Sequence, residues 1–175
     1  TGLEPQTRGK ILLDGEPTSE MLRRDYLLLR RKAQMIFQNP YDVFDVRHKI
    51  GRSLMDALTL HSIGSSREER IGLIQDALKN ADIHPAANFM NRFPSDLSGG
   101  QLQRIAIVRS MLLGPEFVVA DEPVSMLDVS VRADIINMLY ALAKQKRMAM
   151  VFISHDISTT RYITDRIAVI YLGEI

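Results

Sequence analysis

Short apolar runs that end in turn residues predict five strands along the chain. They cover residues 10–13, 34–38, 117–120, 149–153 and 167–172, and each has the length of an ordinary strand. Between the last three runs, apolar residues recur at helical spacing. Strand, helix, strand, helix, strand is the pattern of consecutive βαβ units. The last third of the chain is therefore predicted to form a parallel sheet.

The middle of the chain shows helical patterns only. Ile50, Leu54 and Leu58 lie on one face of a predicted helix. A second helix is expected after Ser66, a capping residue that two acids follow in the first turn. A third should run from residue 99 to 113 and end at a Gly-Pro pair. We therefore predict an α/β core that is split by an all-helical insert.

Composition excludes several classes of protein. The 22 Lys and Arg residues balance 21 Asp and Glu residues, for a formal net charge of +1, which argues against a protein held mainly by nucleic-acid phosphates. Hydrophobic residues make up 46% of the 175, so a wholly disordered chain is excluded. The absence of Cys excludes disulfides and cysteine-ligated metals. No apolar run approaches the ~20 residues that span a bilayer.

Residues 97–101 read LSGGQ at the predicted start of the third helix. Ser98 can cap this helix, and Gly99 and Gly100 leave backbone N–H groups uncovered by side chains. The helix dipole adds partial positive charge, so the motif is suited to bind an anion. Taken alone, the motif is better explained as a capped helix whose glycines permit a tight entry.

Two acids follow the apolar run at 117–120. Asp121 and Glu122 should lie at the carboxyl edge of the sheet, where α/β folds place ligands. Adjacent strand residues point in opposite directions, so one acid can face a metal and the other a water. A single carboxylate is enough for Mg²⁺, which keeps several waters. The alternative is a solvated acidic loop.

Three further polar residues come just after strand patterns or at a helix start. His155 follows the run at 149–153 and could bond a phosphate oxygen or a water; otherwise it is a loop histidine. Gln38 ends the run at 34–38 and could hold a metal-bound water; otherwise it caps a strand. Asp128 is expected to cap the helix that follows the acids.

Together these motifs resemble the ATPase subunit of an ABC transporter over nearly all of the chain. LSGGQ is the family signature, Gln38 matches the Q-loop, residues 117–122 match Walker B with its glutamate, and His155 matches the switch histidine. Residues 125–128 match the D-loop SALD, with Met126 in place of Ala. The family order of five motifs makes coincidence remote.

The resemblance implies a P-loop-NTPase-like, mostly parallel sheet core with an inserted helical signature subdomain. The expected divisions are a partial catalytic core with the Q-loop, the helical signature subdomain, and a catalytic core with Walker B, D-loop and switch histidine: residues 1–48, 49–113 and 114–175.

Within the family, the stretch IFQNPY at 36–41 is similar to IFQDPY in oligopeptide and dipeptide importers. Residues 120–131 also look like that group. Residues 44–47 read FDVR, where the group often has LNPR. The implied activity is ATP hydrolysis that powers import, here of peptides, at the cytoplasmic face of a membrane. Implied partners are a second ATPase domain and transmembrane permease subunits, with no nucleic acid.

The resemblance assigns a role to each motif. It makes Glu122 the general base and implies that His155 stabilises the γ-phosphate and the transition state. Asp121 would hold Mg²⁺ largely through water, and Gln38 would sense Mg²⁺ and the attacking water. Residues expected to contact nucleotide or to communicate across the dimer are Gln38, Ser98, Gly99, Gly100, Gln101 and Asp128.

One family motif is absent from these residues. No G-x-x-x-x-G-K-[ST] loop, which cradles phosphates, occurs in the sequence. Residues 2–5 and Gly9 resemble the stretch just after that loop's helix, so we expect a truncated chain with weak or absent ATP and Mg²⁺ binding and no activity alone. We also expect an unpaired sheet edge beside the strand at 117–120, which could drive association.

Two other functions stay open from sequence. A non-transport ABC ATPase of the repair or chromosome-maintenance type shares the signature and Walker B, but usually has a long coiled-coil insert. A non-catalytic interaction fragment could use the helical subdomain to bind a membrane partner.

Overall fold

The computed structural model describes residues 7–175; the similarity noted for residues 2–5 lies outside them. The described part opens with a hairpin, in which β1 (Leu12–Leu13) pairs antiparallel with β2 (Glu16–Pro17). Its turn residues Asp14 and Gly15 have φ of 52° and 78°, the left-handed backbone of a tight two-residue hairpin turn. Only the end of the strand predicted at 10–13 is therefore realised.

The remaining strands form a three-stranded parallel sheet in the order β3-β4-β5. These strands are β3 (Ala33–Ile36), β4 (Phe117–Asp121) and β5 (Ala149–Ile153). β4 is central and pairs in register with both neighbours. The expected unpaired edge beside 117–120 is wrong, because the outer edges of the sheet are β3 and β5.

Within residues 7–175 there are eight α-helices: α1 (Thr18–Arg24), α2 (Tyr26–Lys32), α3 (Ile50–Leu60), α4 (Arg67–Asn80), α5 (Ala86–Met90), α6 (Gly99–Met111), α7 (Val129–Lys146) and α8 (Ile157–Ile163). Short 3-10 helices cover Pro40–Val43 and Pro94–Asp96. No strand interrupts residues 50–113, so the helical insert is confirmed. None of the described helices is both long and apolar enough to cross a bilayer.

The predicted strand at 167–172 is wrong. This stretch holds only an isolated bridge between Tyr171 and Glu174, and Tyr171 and Leu172 are 75% and 88% exposed. A strand needs a neighbour to bond its N–H and C=O groups, and no described strand lies beside this segment. An apolar run therefore does not make a strand by itself.

Helix α6 connects two hydrophobic clusters. Leu102 and Ile105 pack with α3 and α4 in the helical cluster, whereas Ile107 packs with α7 on one face of the sheet. These three side chains are fully buried, and each such burial contributes about 1.5–3 kcal/mol. The helix that begins at the LSGGQ motif is thus fixed to both parts of the fold. A small third cluster packs α1 and α2 against Ala33 of β3.

Candidate functional site

Side chains from three neighbouring strand ends meet at the carboxyl edge of the sheet. Gln38 Nε2 donates to Glu122 Oε2 and to Ser125 Oγ, each at 3.1 Å. His155 Nδ1 lies 3.1 Å from Glu122 Oε1. Gln38 follows β3, Glu122 follows β4 and His155 follows β5, so the strand order places the glutamate between the other two. We call these four residues the rim cluster.

Glu122 has an unusual backbone at the centre of the rim cluster. Its φ is 43°, a left-handed value that costs a non-glycine residue free energy and is found at functional sites. Its N–H still donates to Ile153 O of β5 at 3.0 Å, and the Ser125 hydroxyl donates to its carbonyl at 3.1 Å. The turn after β4 is thereby fixed, and it aims a carboxylate that is only 27% exposed.

Asp121 is the last residue of β4 and stands directly beside the rim cluster. Within residues 7–175 its carboxylate makes no hydrogen bond or ion pair to another side chain, unlike that of Glu122. Mg²⁺ prefers hard oxygen donors and retains waters. A single carboxylate from Asp121 and the amide oxygen of Gln38 fit such an ion by their chemistry.

The LSGGQ motif forms a reciprocal cap at the start of α6. Ser98 Oγ accepts from Gln101 N at 3.3 Å, and Ser98 N donates to Gln101 Oε1 at 3.2 Å. Gly99 is exposed, so its backbone amide can be reached, whereas the amide of Ser98 is already bonded to Gln101. These residues share no hydrogen bond with the rim cluster. The structure therefore joins Gln38, Glu122 and His155 directly by hydrogen bonds, but not the signature residues.

Gly100 has a packing role that the sequence reasoning missed. A Cβ built on this residue would lie 2.5 Å from Val131 Cγ1 of α7, whereas one on Gly99 would meet only Leu127 Cδ2 at 3.6 Å. Gly100 therefore allows α7 to approach the start of α6. A cavity of about 310 Å³ opens beside this contact and is lined by Ser98, Gly100, Gln101, Arg104 and Val131, among others.

The loop between the rim cluster and α7 is held by an arginine. Arg132 Nε donates to Leu127 O at 2.7 Å and Nη2 donates to Ser125 O at 3.4 Å. Asp128 is the N-cap residue of α7 by position, but its carboxylate makes no capping hydrogen bond. The predicted side-chain cap is therefore wrong, and the exposed carboxylate is left for other contacts.

The loop that carries His155 is anchored by the next residue. Asp156 caps α8 and accepts from Ser158 N at 2.9 Å. Hydrogen bonds from the Thr159 hydroxyl and backbone, and then from Ser158, hold the pKa of the Asp156 carboxyl below its usual value. An Asp two residues before Ser-Thr at a helix start was a usable sequence signal. The bonds made by Arg132 left no such signal.

The sequence profile described as ABC transporter matches residues 1–125, and the chain belongs to that family. The resemblance drawn from the motifs is thus confirmed, as is the α/β fold class.

Two curated relatives of this chain carry names that refer to peptide transport. The chain is 42% identical over 173 residues to a putative peptide import ATP-binding protein of Brucella ovis, covering 99% of this chain and 53% of that protein. It is 38% identical over 170 residues to the oligopeptide transport ATP-binding protein OppF of Bacillus subtilis, covering 97% and 55%. The chain spans about half the length of these relatives.

A solved structure supports the fold independently. The dimeric, post-hydrolysis state of the ATP-binding cassette MJ0796, bound to ADP and Pi, is similar with a TM-score of 0.78 and 28% identity. The similarity covers 91% of this chain and 68% of that one.

Proposed function

We propose that this chain forms part of the ATP-hydrolysing, energy-coupling subunit of an ABC importer for peptides. The observation that carries the proposal is the rim cluster, in which Gln38 and His155 both contact Glu122 beside the carboxylate of Asp121. The names of the peptide-import relatives support the transported class. We retain the division into residues 1–48, 49–113 and 114–175 as part of this proposal.

In this function Glu122 is the general base that takes a proton from the attacking water. A base must lie within hydrogen-bonding reach of the proton it removes, and the turn after β4 presents this carboxylate at the sheet rim. His155 Nδ1 holds one oxygen of Glu122, while the ring's other nitrogen is left to contact phosphate. Gln38 holds the second oxygen and keeps the carboxylate oriented.

The LSGGQ signature would supply the phosphate-binding groups. Ser98, Gly99 and Gly100 would bind the γ-phosphate of a nucleotide held by a second ATPase domain, since an exposed helix N-terminus attracts an anion. Asp121 and Gln38 would hold Mg²⁺, which when bound neutralises charge on the phosphates. Asp128, exposed at the start of α7, would contact the second domain.

The proposed assembly follows from this division of labour. A second ATPase domain completes each site, and the dimeric form of the MJ0796 cassette supports such a pairing. Transmembrane permease subunits would receive the coupled motion, which places the chain at the cytoplasmic face of a membrane.

ATP hydrolysis by an extended chain tests the function. In the extended chain, an added segment that contains a G-x-x-x-x-G-K-[ST] loop precedes these 175 residues. We expect the extended chain to hydrolyse ATP and the unextended chain not to. Glu122→Gln should lower kcat by about 100-fold or more, since general-base catalysis contributes about 10²–10⁴-fold.

Glu116→Gln is the matched control. Glu116 is an acid just before β4, at the opposite end of the strand, where it pairs with Lys32 at 3.0 Å. Its replacement should leave kcat unchanged. Hydrolysis that survives Glu122→Gln would disprove the assignment of the base, and an inactive extended chain that binds no ATP would disprove the function.

A further inference from the structure

We propose that Gln103 is a positioning residue that couples the signature helix to Gln38. Gln103 lies on α6, five residues after Ser98, and its Nε2 donates to Phe37 O at 3.3 Å. Phe37 immediately precedes Gln38, so this bond holds the peptide group that leads into the rim cluster. The role rests on the proposed ATPase function and adds a residue that the motifs do not assign.

The environment of Gln103 argues against a packing role. Its side chain is only 1% exposed, and its Oε1 has no hydrogen-bond partner among the described residues. Burying an unsatisfied polar atom such as Oε1 is unfavourable, so an apolar side chain of similar size would serve packing alone better. What a Met or Leu here could not supply is the bond to Phe37 O.

The contacts of α6 show how the coupling would work. Besides this bond, α6 packs against β3 and against the 3-10 helix Pro40–Val43, which lie on either side of Gln38 in sequence. Displacement of the signature at the start of α6 is therefore transmitted to Gln38. Because Gln38 donates to Glu122 at 3.1 Å, the displacement changes the orientation of the proposed base.

A first test measures the local structure without using activity. Amide hydrogen exchange of residues 38–44 is compared in the unextended chain and in its Gln103→Met variant. We expect exchange in this segment to rise about fivefold when one hydrogen bond is lost, with β4 and β5 unchanged. Ser110→Ala is the matched control, because Ser110 is also a buried polar residue of α6 but makes no bond to Phe37.

A second test uses a double-mutant cycle in the extended chain. Gln103→Met should lower kcat about tenfold and leave the KM for ATP within about twofold, because Gln103 acts through Gln38. In the Gln38→Ala background, Gln103→Met should then have no further effect, whereas a residue with an independent structural role would give multiplying effects. Gln103→Asn, which retains an amide, serves as a second variant if Gln103→Met folds poorly.

The outcomes separate this inference from the function. Multiplying effects on kcat, or unchanged exchange in residues 38–44, would overturn the role of Gln103 even in an active enzyme. An extended chain without ATPase activity would count against the proposed function, while the exchange result would still decide whether Gln103 holds the segment before the rim cluster.

Discussion

Replacing Gly100 with Ala should destabilise the chain, although Ala normally favours helices. At 2.5 Å from Val131 Cγ1, the new methyl group would lie about 1 Å inside the ordinary contact distance of about 3.5–4.0 Å. Val131 cannot easily turn away, because β-branched side chains in helices strongly prefer one rotamer. Overpacking of this kind costs about 1–3 kcal/mol, which exceeds the gain of up to about 1 kcal/mol from helix propensity.

Gly99→Ala is the matched control, because its new Cβ meets only Leu127 Cδ2 at the ordinary distance of 3.6 Å. We expect the two variants to differ by about 2 kcal/mol in the free energy of unfolding, or about 4–8 °C in Tm for a chain of this size. Thermal unfolding followed by circular dichroism measures this difference. Adding Val131→Ala to Gly100→Ala should restore the lost stability, because it removes the methyl group that clashes. A Gly100→Ala variant that melts at or above Gly99→Ala, or that Val131→Ala fails to rescue, would refute the packing argument.

Two further predictions concern stability. Burial lowers the pKa of His61, and the charges of Arg31 and Arg109 lower it further. Neutral His61 thus contributes stability above the unfolded pKa of about 6.5, and this stability is lost as pH falls. Tm should therefore drop from pH 7.5 to 5.5, and His61→Gln should reduce the dependence of Tm on pH. An unchanged dependence would exclude His61 as its source. Leu54→Ala should cost about 2–5 kcal/mol in urea unfolding, because Leu54 is 0% exposed. Leu60→Ala, on the same helix but 58% exposed, should stay within about 0.5 kcal/mol, and equal losses would contradict the assigned core.

The sequence was most informative where a continuous apolar run ends in turn residues. The prediction for β5 is exact, and that for β4 ends one residue early, because continuous apolarity between turn residues is a local signal. Helices α1 and α2 were not predicted. Each has only seven residues, with Asp25 between them, which is too short for a clear period.

Pairing between strands could not be predicted in the same way. The central position of β4 depends on which strands lie side by side, and that is a non-local property. The contacts within the candidate site could not be predicted for the same reason. Gln38, Glu122 and His155 were selected because each follows a strand, but the Ser125 bond to Gln38 spans 87 positions and the Gln103 bond to Phe37 spans 66. Side-chain contacts over such separations leave no periodic trace in the chain.

The outermost position of β5 has one more consequence. Within residues 7–175 no strand pairs with its outer edge, so this edge offers main-chain donors and acceptors to an incoming parallel segment, next to Val151 and Ile153, which are 46% and 44% exposed. A parallel segment that paired with this edge would end near His155, and the residues that follow the segment would lie near Glu122. A segment that paired with the outer edge of β3 would instead end near Gln38. The outer edge of β5 is therefore where a fourth strand could bring new groups to the rim cluster without displacing Gln38 from Glu122.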